Sequence, residues 1–282
     1  MELLLHFILG TAFSVVIAML VYRLRSQLGA IALIIIVTGS YIGLSYLFNE
    51  MIGIQFIIAG AVFGYTAQRF SFQRYFIASV LVLWFSLLVV YYLQYYLKGI
   101  DVVADNQKII QQMIESSSLG AAEKSVMLQQ LENFVPTMRI LMPFSYFFSS
   151  IVISLFIYVL VYAFFIRFKF LKISDSRFTL FRVDEWIVFL LIVSWATVLL
   201  GNSNHILWAI ALNIGLILCV VYTIQGLSII SFYFEKKQWP KLYGMVLLFV
   251  GMLLGFQVLF FIITMLMGLG IIDFWMNFRK IV

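Results

Sequence analysis

The feature that most limits this chain is a succession of uninterrupted apolar stretches, each close to the length that crosses a bilayer. A hydrocarbon core of about 30 Å takes roughly 20 helical residues. Eight stretches meet or approach that length: 3–22, 28–48, 51–68, 75–97, 139–166, 185–200, 206–234 and 242–267. They are continuous rather than alternating, which argues against a transmembrane β-barrel. Backbone polar groups in lipid have to pair within their own segment, so the sequence predicts an all-α, polytopic transmembrane bundle of about eight spans. Composition agrees, with 64% of the 282 residues hydrophobic and 11% charged. An ordinary soluble domain carries roughly 25% charge. A cytosolic enzyme, a disulfide-stapled secreted domain and a free nucleic-acid binder are all excluded on this ground. No basic n-region precedes the first stretch, and Arg23 and Arg25 follow it. That stretch is therefore expected to remain as a span rather than to be removed as a signal peptide.

The charges sit between the stretches and set an expected orientation. One side carries Arg23, Arg25, Arg69, Arg74, Arg167, Lys169, Lys172, Arg177, Arg182, Lys236, Lys237 and Lys241 against four acids, a net +8. The opposite side carries six basic residues, Arg279 and Lys280 among them, against eight acids, a net −2. The positive-inside rule makes the +8 side cytoplasmic and the N-terminus extracytoplasmic. Eight spans then leave Arg279 and Lys280 outside, against the same rule.

Three regions follow: spans one to four in 1–98, an extracytoplasmic segment 99–138, and spans five to eight with a tail in 139–282. Residues 99–138 are polar enough to leave the membrane and predict two amphipathic helices. The first presents Val103, Ile110 and Ile114; the second presents Lys124, Met127 or Leu128, Leu131, and Phe134 or Val135. The stretch from Ser116 to Gly120 is the expected turn, and Pro136 the expected end of the second helix. The tail 271–282 predicts an interfacial helix, with Ile271, Phe274 or Trp275, Phe278 and Ile281 toward lipid and Asp273, Asn277 and Lys280 toward water.

Few residues inside the spans carry chemistry. Cys219 stands alone, and His6 and His205 are isolated, so neither a disulfide, a metal site nor a cofactor is implied. Glycines at four-residue spacing predict close helix packing: Gly39 with Gly43, Gly60 with Gly64, and Gly251 with Gly255, joined by Gly215 and Gly226 in the seventh span. Uncharged polar groups at depth are Asn213 and Gln225 in the seventh span and Gln257 in the eighth. With Tyr222 they form the candidate ligand-binding set, interhelical hydrogen bonding being the plainer use of each. No acidic residue lies at a membrane midplane, and no hydrolase, zinc-protease or nucleotide-binding motif is present, so no catalytic activity is expected.

The second half resembles a known family. Phe181-Arg182-Val183-Asp184-Glu185-Trp186, Asn213, Tyr222-Thr223-Ile224-Gln225-Gly226, and the ending Gly270-Ile271-Ile272-Asp273-Phe274-Trp275-Met276-Asn277-Phe278-Arg279 are similar to the YybS-like bacterial membrane proteins. The resemblance implies a fold akin to the substrate-binding S-components of energy-coupling-factor transporters and to the rod-shape protein MreD. Those two relatives imply different roles. One is a subunit that binds or transports a small molecule or lipid and meets a coupling partner. The other is a non-catalytic envelope scaffold that recruits an assembly partner. The first is the leading expectation. Membrane lipids are the expected surroundings in either case, with Arg182, Asp184, Glu185 and Trp186 ordering the approach to the sixth span by an interfacial ion pair. An enzyme holding lipid phosphates on the basic residues of 167–182 is a third option, which positive-inside topology makes unnecessary.

Overall fold

The structure is a computed structural model and describes residues 14, 16–21, 58, 60–62, 64–65, 72–167, 178–201, 206–240 and 255–279. All regular structure among these residues is helical. The expected spans 28–48, most of 3–22 and 51–68, and the first half of 242–267 lie outside them, as do Gly39, Gly43, Gly251, His6 and His205. Four of the described helices are long and apolar enough to cross a membrane, and a fifth apolar helix, Ile187–Leu200, is shorter. The chain packs as two compact units, one of residues 1–70 and 74–174, the other of 71–73 and 175–282.

The first unit contains α1 (Phe72–Lys98), α2 (Val102–Ser116) and α3 (Ala121–Arg167). Gly99 ends α1 with φ +64°, a left-handed conformation that glycine adopts without a Cβ clash. Two residues later Asp101 caps α2, its Oδ1 accepting the N–H groups of Val103 and Ala104 at 3.1 and 3.2 Å. Its Oδ2 takes Arg139 of α3 in an ion pair, so one carboxylate fastens the start of α2 to its neighbour. Partial burial pushes the Asp101 carboxyl up. The bonds from Ala104 N–H, Arg139 and Val103 N–H outweigh this and hold it below its ordinary value.

At the far end of α2, Ser117 Oγ donates to Ile114 O, and Lys124 Nζ donates to Glu115 O at 2.7 Å. The chain then turns into α3, whose first turn is capped by Glu123 accepting Gly120 N–H. Val103 and Leu131 are buried between the paired helices, while Met127 and Phe134 face outward. The inner positions of α3 are therefore Leu128 and Val135, both half-buried.

Pro136 does not end the second helix. α3 continues through both Pro136 and Pro143 for 47 residues. A proline costs a helix about 3 kcal/mol through its lost N–H and its ring clash. A single interruption is offset here by the turns on either side and by packing on α1. Trp84 of α1 donates to the Pro143 carbonyl at 2.8 Å and sets its ring edge-on to Phe147. Tyr91 meets Tyr146 one step along the pair, next to the exposed Tyr92, Tyr95 and Tyr96. Elsewhere in this unit, Cβ atoms on Gly60 and Gly64 would lie 2.3 and 2.4 Å from the carbonyl oxygens of Ser14 and Ala18. Two chain segments touch there backbone to backbone, as small residues allow in lipid.

The second unit contains a 3-10 turn at Phe178–Leu180, α4 (Ile187–Leu200), α5 (Ile206–Lys236) and α6 (Phe256–Met276). α4 runs antiparallel to α5, and Val188, Leu191, Leu218 and Tyr222 form their shared core, against which Met267, Ile271 and Phe274 of α6 pack. Gly255 precedes α6 at φ +104°, where a Cβ would meet nothing within 4 Å. It supplies a backbone turn, not the helix contact expected of it at four-residue spacing. The last span consequently sits further along the chain than 242–267: α6 begins at Phe256 and runs into the expected tail, to Met276.

Candidate functional site

The polar side chains that lie deepest in the second unit converge where α5 and α6 cross. The crossing is made by two glycines. A Cβ on Gly226 would sit 2.0 Å from Leu266 O, and one on Gly270 would sit 2.1 Å from Tyr222 O. With hydrogen there instead, the backbones approach closely enough for side chains one turn away to bond across the gap. Gln225 is 2% exposed and uses both ends of its amide. Its Oε1 accepts Val183 N–H at 3.0 Å, and its Nε2 donates to Gly270 O and to Asp273 Oδ2 at 3.2 and 3.1 Å.

Asp273 is 1% exposed, which corrects its assignment to the wet side of an interfacial helix. Its Oδ1 accepts Phe278 N–H at 3.0 Å, and its Oδ2 takes Arg279 Nη2 at 2.9 Å. The turn that brings Arg279 back is built by Asn277, which ends α6 in the left-handed region at φ 41°, one that asparagine tolerates. Arg279 then reaches past Asp273 to the chain that precedes α4. Its Nη1 donates to Thr179 O, Phe181 O and Ser228 Oγ at 3.0, 2.8 and 2.8 Å. Ser228, fully buried one turn beyond Gln225, donates in turn to Phe178 O. Tyr233 OH closes the outer edge on Phe278 O at 2.9 Å. Only the Arg279 Nε is left without a partner in this cluster.

The tail is therefore a folded-back hook, not a helix lying on the membrane surface. Burial selects this outcome because the hook pairs a carboxylate and a guanidinium with each other and with backbone groups outside any helix. Those turn carbonyls would otherwise need water.

Arg279 was expected on the opposite side of the membrane from Arg182, yet it hydrogen-bonds the carbonyl of Phe181, the adjacent residue. Phe278 likewise meets Tyr233, three residues before the end of α5. Residues 178–183, the end of α5 and residues 277–279 lie together at one end of the second unit. The single pass expected between Lys236 and Arg279 would leave these ends apart, and residues 241–254 between them lie outside the described residues.

The candidate ligand set is not brought together. Asn213 is buried, with Nδ2 donating to Ala209 O at 2.8 Å within its own helix. It stands about 18 Å along α5 from Gln225 at ~1.5 Å per residue. Tyr222 packs in the apolar core. Gln257 is exposed in the first turn of α6. Gly215 lies under the Trp195 ring, which would be 3.4 Å from a Cβ there.

Of the residues before α4, Arg182 pairs with Glu185 at 3.1 Å. Glu185 is two-thirds exposed, so the pair contributes at most about 0.5 kcal/mol. Asp184 and Trp186 are exposed, as is Trp275 on α6. Sequence reasoning missed Ser228 and the carbonyls of Thr179 and Phe181. The signal for Ser228 was its position three residues after Gln225, on the same face of α5. The carbonyls leave no trace in side-chain identity.

A bundle of long apolar helices tied by buried hydrogen bonds is an integral helical membrane protein. The chain belongs to the family described as Predicted membrane protein (DUF2232), which matches residues 4–274. It is similar to "Uncharacterized protein YybS" of Bacillus subtilis (strain 168), at 24% identity over 263 residues, covering 86% of this chain and 82% of that one. The resemblance drawn from residues 181–279 thus extends over most of the length. No solved structure matches the chain.

Proposed function

We propose that the protein is a non-catalytic scaffold of the bacterial cytoplasmic membrane, and that the α2–α3 helical pair is where it meets an assembly partner. One observation carries this reading: α3 is a single helix from Ala121 to Arg167, so the polar pair is a rigid extension of a membrane span. Asp101 fastens α2 to it through the cap and the Arg139 pair. The pair presents Ile109, Met113, Val126, Met127 and Phe134 at exposures between 45% and 67%. Exposed apolar side chains on an otherwise polar, extramembrane helix pair are a common mark of a contact surface.

The alternative, a solute-binding subunit of S-component type, draws less support. Gln225 has both amide ends engaged, and Asn213, Tyr222 and Gln257 lie apart from it. The fold-back of Arg279 also bears on orientation. Moving Asp273, Arg279 and Lys280 to the side of Arg182 changes the balance from +8 and −2 to +9 and −3. This sharpens the positive-inside asymmetry, with α2 and the start of α3 outside the cell, nine passes in place of eight, and residues 277–279 at the cytoplasmic side.

The test places a photocrosslinking residue at Met113 or Phe134 in intact cells, with lipid-exposed Phe189 as control. A protein adduct of defined mass at Met113 and Phe134, absent at Phe189 and lost with Ile109→Glu, is the expected result. Adducts to lipid alone at all three positions, or a stoichiometric metabolite in the purified protein, would overturn the scaffold reading.

A further inference from the structure

We propose that residues 277–279 act as a releasable strap over the turn at 178–181, and that Arg279 lets go while the helices stay docked and Ser228 and Gln225 of α5 keep the turn seated. The inference is independent of the scaffold reading. It rests on the contrast between two layers of the same contact.

The lower layer is the crossing itself. Backbone lies on backbone at Gly226 and Gly270, and Val188, Leu191, Leu218 and Tyr222 are buried beside it. Separating those surfaces would expose apolar groups and leave close van der Waals contacts unmade, a change that packed interiors resist as a unit. The upper layer is polar and directional. Arg279 is joined to α6 by the short Asn277–Phe278 turn alone. Among the described residues its Nη1 alone makes the hydrogen bonds between the hook and the 178–181 segment. The acceptors on that segment, Thr179 O and Phe181 O, belong to the 3-10 turn and the coil after it rather than to a long helix. Opening lets water take up Thr179 O and the guanidinium, while Phe181 O keeps the Ser228 hydroxyl, without unwinding α4 or α5.

The closed state is also short of full pairing, since Nε is buried without a partner. A guanidinium that leaves one of its five donors unmet holds its site less firmly than a saturated one. Asp273 stays behind on opening, with Gln225 Nε2 still donating to it and Gln225 Oε1 still able to hold Val183 N–H. The hinge is Asn277, already in the left-handed region, where a change of φ and ψ redirects the chain after α6.

Hydrogen exchange by mass spectrometry on the full-length protein in nanodiscs reads the two layers separately. In the unaltered protein, amides of 277–279 are expected to exchange about tenfold or more faster than those of Ile187–Leu200 and 211–222, as a local opening does relative to a global one. Arg279→Gln is expected to raise exchange in 277–279 by a further tenfold or so, with 178–183 changed less because Ser228 and Gln225 still hold it, and with Ile187–Leu200 and 211–222 unchanged. Equal protection of strap and core in the unaltered protein overturns the proposal. So does a rise in the variant that spreads evenly through α4 and α5, because Arg279 would then be a strut of the whole unit. If Arg279→Gln does not accumulate in membranes, Arg279→Lys is measured by the same criteria, as it keeps a cation beside Asp273 but loses the fork that spans both carbonyls.

Discussion

At the scale of single residues, the second unit depends on what two glycines lack. A methyl group on Gly226 would have to occupy space 2.0 Å from a main-chain oxygen and 2.7 Å from its carbon. No flexible side chain stands there to swing aside, so α5 and α6 must move apart. Gly226→Ala is therefore expected to destabilise the unit by about 1–3 kcal/mol, the usual range for overpacking a filled contact. Gly215→Ala should cost less than half of that, because its nearest neighbour is the Trp195 ring at 3.4 Å. Thermal unfolding of the purified variants in one detergent checks the order, and equal losses at the two positions would contradict it. Both glycines could be picked out in the sequence from their place in an apolar stretch, although the difference between them could not. The same limit applies to Asp273 and Arg279. Their spacing fits a wet helical face as well as it fits a hook, and the choice depends on carbonyls 100 residues away along the chain. Composition carries no record of such partners.

Elements show where local rules give way. Hydrophobic periodicity located the helical pair, and the serine-rich stretch between its members marked the break between Ser116 and Ala121. It could not separate Met127 from Leu128 as the inner residue, since neighbours on a helix share a face to within 100° and packing makes the decision. Proline misled at position 136 because its cost is local, whereas the stability of a 47-residue helix is distributed along its length. The seat of α2 allows a test with a definite sign. Asp101 is held below its ordinary value of 3.8, so the stability that it lends is complete at neutral pH. It is lost only as the pH falls through the lowered value. Asp101→Ala should remove the cap and cost the pair about 1 kcal/mol at pH 7. That deficit should hold down to roughly pH 4 and shrink below it as the unaltered carboxylate becomes protonated. Exchange protection of residues 102–116, followed from pH 7 to pH 3 in both proteins, measures it. A deficit that disappears by pH 5.5 would mean that some other group titrates at this joint.

At the scale of the whole molecule, charge distribution and side-chain pairing have to agree on which ends share a compartment. The apolar stretches identify a bilayer protein without difficulty, but counting them assigns one pass between Lys236 and Arg279. The bonds from Arg279 to Thr179 and Phe181 set residue 279 beside the turn before α4, which is why an even number is proposed above. Apolar length is a poor counter wherever two spans follow each other with little polar sequence between them, because hydropathy registers thickness and not direction. The proposed even count also removes the conflict of two basic residues left on the negative side. In a chain whose Cys219 has been replaced by Ala, single cysteines at Ser118, at Gln238 and after Val282 should separate into two classes. A membrane-impermeant maleimide applied to whole cells should label Ser118→Cys alone, and the other two should react only after lysis. Labelling of the C-terminal cysteine on intact cells, with Gln238→Cys protected, would place the two on opposite sides. The Arg279 contact with the 178–181 turn could not then exist in the membrane.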